Sequence, residues 1–107
     1  MTRHYNLFLE GIVRSYSYRG KDKYDWKKKL SKLFYQKKPL KKGDVKLKMT
    51  FWSKKKVEPR KDLDNMVKTV MDSLTGIIYE DDSQVVEIYA KKEINNLLEG
   101  LTLEIFF

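Results

Sequence analysis

The sequence predicts an α+β fold: a single two-layer domain over residues 1–107, in β-α-β-α-β-β order, with a four-stranded mixed sheet and two helices. Three observations carry that expectation. Residues 44–52, DVKLKMTFW, alternate apolar and polar side chains, as a half-exposed strand does. Residues 63–74 instead set Leu63, Val67, Val70, Met71 and Leu74 at helical spacing. Beyond them, 85–94 and 101–107 are two more β-rich segments separated by a short polar stretch.

Taken in order, YNLFLEGIV (5–13) is β-rich and reads as the first strand. RSYSYRGKDK (14–23) follows as a polar loop carrying Arg14, Arg19 and Lys21. Asp22 or Asp25 is the expected cap of a helix running to about Gln36, in which Trp26, Leu30, Leu33 and Phe34 repeat at helical spacing. Pro39 and Gly43 punctuate a loop over 37–44. In the second strand, Val45, Leu47, Met49 and Phe51 share one face, and Lys46, Lys48 and Thr50 the other. SKKKVEPR (53–60) is a basic connector, and Pro59 disfavours a helix through it. Gly76 is placed to end the second helix as its C′ residue. IIYEDDSQ (77–84) leads through an acidic turn into the strand VVEIYAKKEI; NNLLEG (95–100) reads as a hairpin loop before the closing strand LTLEIFF.

Composition limits the chemistry. At 107 residues, 41% hydrophobic and 13% aromatic, the chain has enough apolar surface for one core. It has no cysteine, which excludes disulfides, thiolate metal sites and cysteine nucleophiles. The single histidine, His4, leaves no basis for a zinc site or a histidine triad. No apolar run approaches the roughly 20 residues of a membrane span, and the first residues do not read as a signal peptide, so a cytoplasmic location is expected. The net charge of +8 points to a polyanionic partner, nucleic acid before others. The charge is also unevenly distributed. Residues 62–87 hold Asp62, Asp64, Asp72, Glu80, Asp81, Asp82 and Glu87 against one base, Lys68. A basic body around an acidic island suits a phosphate-binding surface with a site for divalent cations.

Metal-assisted phosphodiester hydrolysis needs carboxylates around a hard cation, which activates water and offsets charge on the phosphate. In an extended lead-in to the second helix, Asp62 and Asp64 point the same way, so both can reach one ion. Lys68 lies one helical turn after Asp64. A third ligand would come from the acidic turn, where one of Asp81 and Asp82 faces the cation. Taken alone, D-x-D at a helix start is more often a helix cap, and EDDS more often a solvated turn.

In combination, RKDLDNMVKTVMDSLTGIIYEDDSQVVEI (60–88) resembles the signature of the RusA family of Holliday-junction resolvases. That signature is a basic residue, D-x-D-N, a lysine four residues after the second Asp, D-x-L, a short stretch, and D-D-x-Q-V. It runs here through Asp62, Asp64, Asn65, Lys68, Asp72, Leu74, Gly76, Asp81, Asp82, Gln84 and Val85. The resemblance implies a homodimeric endonuclease, dependent on Mg²⁺ with Mn²⁺ as substitute, that resolves four-way DNA junctions by paired symmetric cuts in recombination or repair. It implies metal ligation by Asp62, Asp64 and Asp82 with Asp81 as neighbour, Lys68 as the essential lysine, and Asn65 orienting the site from behind the ligands. A bacterial or phage-encoded protein is the corresponding source. Arg14, Arg19, Lys21, Lys27, Lys28, Lys54, Lys55, Lys56 and Arg60 are the residues expected to track the DNA backbone. The competing readings are a nuclease for other branched DNA, such as flaps and forks, and a catalytically silent nucleic-acid-binding protein.

Overall fold

The structure, a computed structural model, describes residues 4–10, 21–34, 38–39, 42–54, 63–95 and 97–107, with side chains in the first helix from Trp26 onward. Its elements are β1 (His4–Glu10), α1 (Lys21–Phe34), β2 (Val45–Ser53), α2 (Leu63–Leu74), a 3-10 turn (Asp82–Gln84), β3 (Val85–Ile94) and β4 (Gly100–Phe106). The order of elements and the mixed four-stranded sheet agree with the pattern of the sequence.

The neighbours within the sheet do not all agree with it. Strand order is β1-β4-β2-β3. β4 pairs antiparallel with both β1 and β2, while β3, among the described residues, pairs with β2 alone, in parallel. Residues 95–100 are therefore not a hairpin loop; they carry the chain from the β3 edge across β2 into the middle of the sheet. Burial explains the exchange. β4 presents Leu101, Leu103 and Ile105 to the core with no exposure at all, whereas β3 carries Lys91 and Lys92 in its second half. The more apolar strand takes the position flanked on both sides.

One face of the sheet meets the helices. Val45, Leu47, Met49 and Phe51 of β2 are buried there, as their alternation requires. Against them lie Trp26, Leu30 and Phe34 of α1, at i, i+4 and i+8. Leu33 stays exposed, because it falls beside that stripe. α1 already begins at Lys21, so Asp22 and Asp25 fall within its opening turns and neither is its N-cap. The first strand ends at Glu10, and residues 11–13 lie outside the described ones.

α2 is rotated slightly from the face its apolar residues suggest. Met66, Thr69, Val70, Ser73 and Leu74 are buried, and Leu63, Val67 and Met71 flank them partly covered. Two hydroxyls can occupy this interface because each returns its proton to the preceding turn. Thr69 Oγ1 donates to the Asn65 carbonyl at 3.0 Å and Ser73 Oγ to the Thr69 carbonyl at 2.7 Å. The helix ends where expected: Gly76 adopts φ +85°, a left-handed conformation that glycine takes without strain.

The crossover from β2 to β3 sets the direction of α2. Because the two strands are parallel, the chain must return the full length of β2 before β3 begins. α2 supplies about 18 Å of that return. Its C-terminus therefore lies towards the starts of β2 and β3, and its N-terminus towards their ends.

Gly100 sits where β4 passes β1, and a side chain there would press on the Leu9 carbonyl oxygen and lie 2.9 Å from the Phe8 ring. Gly100→Ala is expected to destabilise the domain by about 1–3 kcal/mol, as overpacking against rigid neighbours does. Urea denaturation followed by Trp fluorescence measures it as a lower midpoint at unchanged slope.

Candidate active site

The first carboxylate group stands at the start of α2. Asp64 is exposed in the first turn, where the positive end of the helix dipole favours an anion. Lys68 is exposed one turn later, on the same side of the helix. Asn65 is half-buried between them in sequence, with its carbonyl accepting the Thr69 hydroxyl. Asp62 lies outside the described residues, as do Arg14, Arg19, Lys55, Lys56 and Arg60.

The second group stands on the acidic turn, which is fastened to the other end of α2. Gly76 N–H donates to the Tyr79 carbonyl at 2.7 Å, and the Ile77 and Ile78 amides donate to Leu74. Ile77, Ile78 and Tyr79 are all buried. The Tyr79 hydroxyl donates to the Met71 carbonyl at 2.8 Å. Burial pushes this hydroxyl well above the ordinary tyrosine range, opposed by hydrogen bonding with Thr75 and reinforced by the charges of Asp82 and Asp72. Tyr79 is thus a permanent neutral donor that pins the connection.

The turn itself is a capping box. The Asp81 carboxylate accepts from Ser83 N–H at 3.1 Å, while Gln84 Oε1 accepts from the amides of Glu80 at 3.0 Å and Asp81 at 3.1 Å. Gln84 Nε2 reaches across to the Gly43 carbonyl at 3.2 Å, joining the turn to the entry of β2. The Ser83 amide, followed by side-chain hydrogen bonding with Asp82, holds the Asp81 carboxyl below its ordinary range. Asp81 is engaged as a cap. Asp82, the next residue, is exposed at the head of the 3-10 turn.

The structure brings Asp72 and Asp82 into the neighbourhood of the Tyr79 hydroxyl. It does not bring Asp64 there: from Asp64 to the Met71 anchor is about 10 Å of helix. Among the described residues, no three histidine, aspartate or glutamate side chains gather so as to hold a metal ion. Asp64 at the head of α2 and the acidic turn just past its C-terminal end are therefore, among the described residues, two separate carboxylate groups.

The basic residues divide as well. Lys27 is occupied within the fold, donating from Nζ to the Thr75 carbonyl at 2.6 Å, where a cation complements the C-terminal end of α2. Lys28 is exposed, and Lys21 opens α1. Lys54 lines an open groove of about 740 Å³ with Lys29, Lys32, Phe8, Leu33 and Leu97. Lys29 donates to the Glu10 carbonyl at 2.9 Å and lies 4.8 Å from the centre of the Trp26 ring.

Comparison with known proteins gives this arrangement its chemistry. The chain matches the family Endodeoxyribonuclease RusA over residues 2–105. It is 33% identical over 108 residues to the crossover junction endodeoxyribonuclease rusA of Lactococcus phage r1t, an alignment covering 91% of this chain and 80% of that protein. The protein is a nuclease, a hydrolase of phosphodiester bonds. It belongs to the RusA endodeoxyribonuclease family.

Two residues that organise the site have no role assigned from the sequence. Gln84 had a readable signal, since Asp81-x-x-Gln84 has the spacing of a capping box. Tyr79 had none, because an aromatic after two isoleucines looks like ordinary core. The lowered Asp81 range fixes the sign of a pH effect. The contribution of the cap is complete above the ordinary aspartate value of about 3.9 and is lost as pH falls through the lower folded value. The Ser83 amide NMR shift should follow that acid transition, and Asp81→Asn, which keeps the acceptor but cannot titrate, should flatten it.

Proposed function

We propose that this protein is a Mg²⁺-dependent endonuclease that resolves four-way DNA junctions by symmetric paired cuts, acting as a homodimer in recombination or repair. The observation carrying the reading is the D-x-D-N…K run at the head of α2 followed by the acidic turn, in a chain matching the family from residue 2 to 105. The named activity of the phage r1t relative, on crossover junctions, supports the choice of substrate. A four-way junction offers equivalent strands in pairs, which suits an enzyme with two-fold symmetry.

The donor chemistry fits magnesium, which takes carboxylate oxygens and few of them. Asp62 and Asp64 would hold it at the start of α2 and Asp82 at the acidic turn; manganese would serve in its place. Asp82 is favoured over Asp81 because Asp81 already accepts from Ser83. Since Asp64 and Asp82 of one protomer stand at opposite ends of α2, an ion held by both draws on two protomers. When bound, the ion supplies a Lewis acid for the phosphate and a lowered pKa for attacking water. Lys68, exposed one helical turn after Asp64, would stabilise negative charge developing on the phosphate. Asn65 would orient the site from behind the ligands. Lys28, Lys54 and the basic residues at 14, 19, 21, 55, 56 and 60 hold the DNA backbone, an interaction that weakens steeply with salt. Lys27, hydrogen-bonded within the fold, takes a lesser part. A cytoplasmic location in a bacterium, infected or carrying a prophage, is consistent with this role; among the described residues no helix is long and apolar enough to cross a membrane.

A synthetic mobile four-way junction tests the reading. Paired nicks should appear with Mg²⁺ and vanish with EDTA, and flaps or forks should be cut more slowly. Asp64→Asn should abolish cleavage with junction binding retained, and Lys68→Ala should slow it about 10²–10³-fold, as loss of one charge-stabilising donor does. Cleavage by Asp64→Asn at the normal rate would overturn the site. Lys54→Ala should weaken junction binding and reduce the slope of log affinity against log salt by about 1.

A further inference from the structure

We propose that the groove between α1 and the segment entering β4 is a docking site for an extended polypeptide segment of another protein, one that carries aliphatic side chains beside acidic ones. The site is independent of the nuclease chemistry at α2.

The groove lies at the margin of the sheet. Phe8, Leu9 and Glu10, three consecutive residues of β1, line it. Strand side chains alternate between faces, so consecutive ones reach a single groove only where it opens along the edge or end of the strand. β1 is an edge strand, paired among the described residues with β4 alone. Lys29 takes the Glu10 carbonyl at one end of β1. The rest of that edge carries no second strand among the described residues. Addition of an extended segment to such an edge gives affinity through main-chain hydrogen bonds and selectivity through the adjoining side-chain seats.

The groove offers apolar and cationic surface together. Leu97 is 86% exposed, Leu33 51% and Phe8 48%, and all three line it. Clustered side chains of this kind gain stability when a partner removes them from water. Lys32 stands next to Leu33 on the α1 side. Among the described residues no carboxylate lies within ion-pairing distance of it. A segment with an acidic residue next to an aliphatic one meets both.

The same lining argues against a nucleic-acid strand as the occupant. Glu10 and Glu99 also face the groove, and a chain of phosphates laid through it would meet both carboxylates. Single strands are held by stacking bases on aromatic rings. The leucines here offer none, and the Phe8 ring packs over Gly100. A polypeptide carries its charges one side chain at a time, so it can set an acid against Lys32 and stay clear of the glutamates. Lys54 also lines the groove, but it is among the residues expected to hold DNA, so Lys32 is the one that tells the two occupants apart.

A displayed library of random decapeptides, selected on the intact protein, is the probe. Selection should converge on aliphatic residues flanked by aspartate or glutamate, and a synthetic peptide of the enriched sequence should bind in fluorescence anisotropy. Leu33→Asp and Leu97→Asp should each weaken that binding roughly tenfold, as loss of a central apolar contact does. Lys32→Glu should weaken it roughly fivefold, with a smaller effect at high salt. In the complex, amides of β1 should exchange with solvent more slowly. All three substituted side chains are exposed, so the variants should keep the fold and cut a four-way junction at the normal rate. A selection without a common motif, or an enriched peptide indifferent to Leu97→Asp and Lys32→Glu, overturns the proposal. So does loss of junction binding in these variants, which would give the groove to DNA, or a change in their sedimentation, which would give it to a second copy.

Discussion

β4 lies between β1 and β2, with Leu101, Leu103 and Ile105 sealed against the helices, and the placement of every other strand depends on this insertion. Full burial of such side chains contributes about 1.5–3 kcal/mol each, and no other strand turns three consecutive inward positions completely away from solvent on both flanks. β1 has no route to β2 except through β4. The outer face of β4 is bonded into the same unit, with Trp52 Nε1 donating to Thr102 Oγ1 at 2.8 Å and Glu104 lying 3.8 Å from Lys48. With β4 in the centre, β3 takes the edge beyond β2.

The second constraint is the parallel relation of β2 and β3. It obliges the chain to travel back across the sheet, and α2 is the rod that does so. A helix with acidic groups at its head and just past its tail holds them apart as firmly as its hydrogen bonds allow. Buried Met66, Val70 and Leu74 hold the rod against the core, Lys27 closes its last turn, and Tyr79 ties the acidic turn to that end. These contacts fix the acidic turn relative to the C-terminal end of α2.

Much of this was legible in the residues. The alternation of β2 identified its buried face, the spacing of α2 identified a helix, and Gly76 marked its end. The D-x-D-N…K and D-D-x-Q runs identified the family. Strand neighbours were not legible from periodicity, which reports faces and says nothing of partners; hence β3 and β4, separated by a short polar stretch, looked like a hairpin. The contrast between LTLEIFF and VVEIYAKKEI was the available sign, since a strand holding adjacent lysines suits an edge. The displaced stripe of α2 had a similar origin: counting only apolar residues passed over Thr69 and Ser73, whose hydroxyls are satisfied within the helix. Nor did proximity in sequence show that the acidic turn docks at the far end of α2 from Asp64; that depends on a tyrosine reaching back eight residues to Met71.

The central position of β4 also governs when the domain can form. Leu7 pairs with Leu103, almost the whole described chain away, and β2 gains its antiparallel neighbour only when residues 100–106 are present. Contacts of such long sequence separation slow folding, because loop closure must precede the contacts that stabilise it. During synthesis, β1, α1 and β2 emerge without the strand that joins them, and the apolar face of β2 must wait on the ribosome for its cover. The sheet on which α2 packs is thereby completed only when the last strand of the fold has been made.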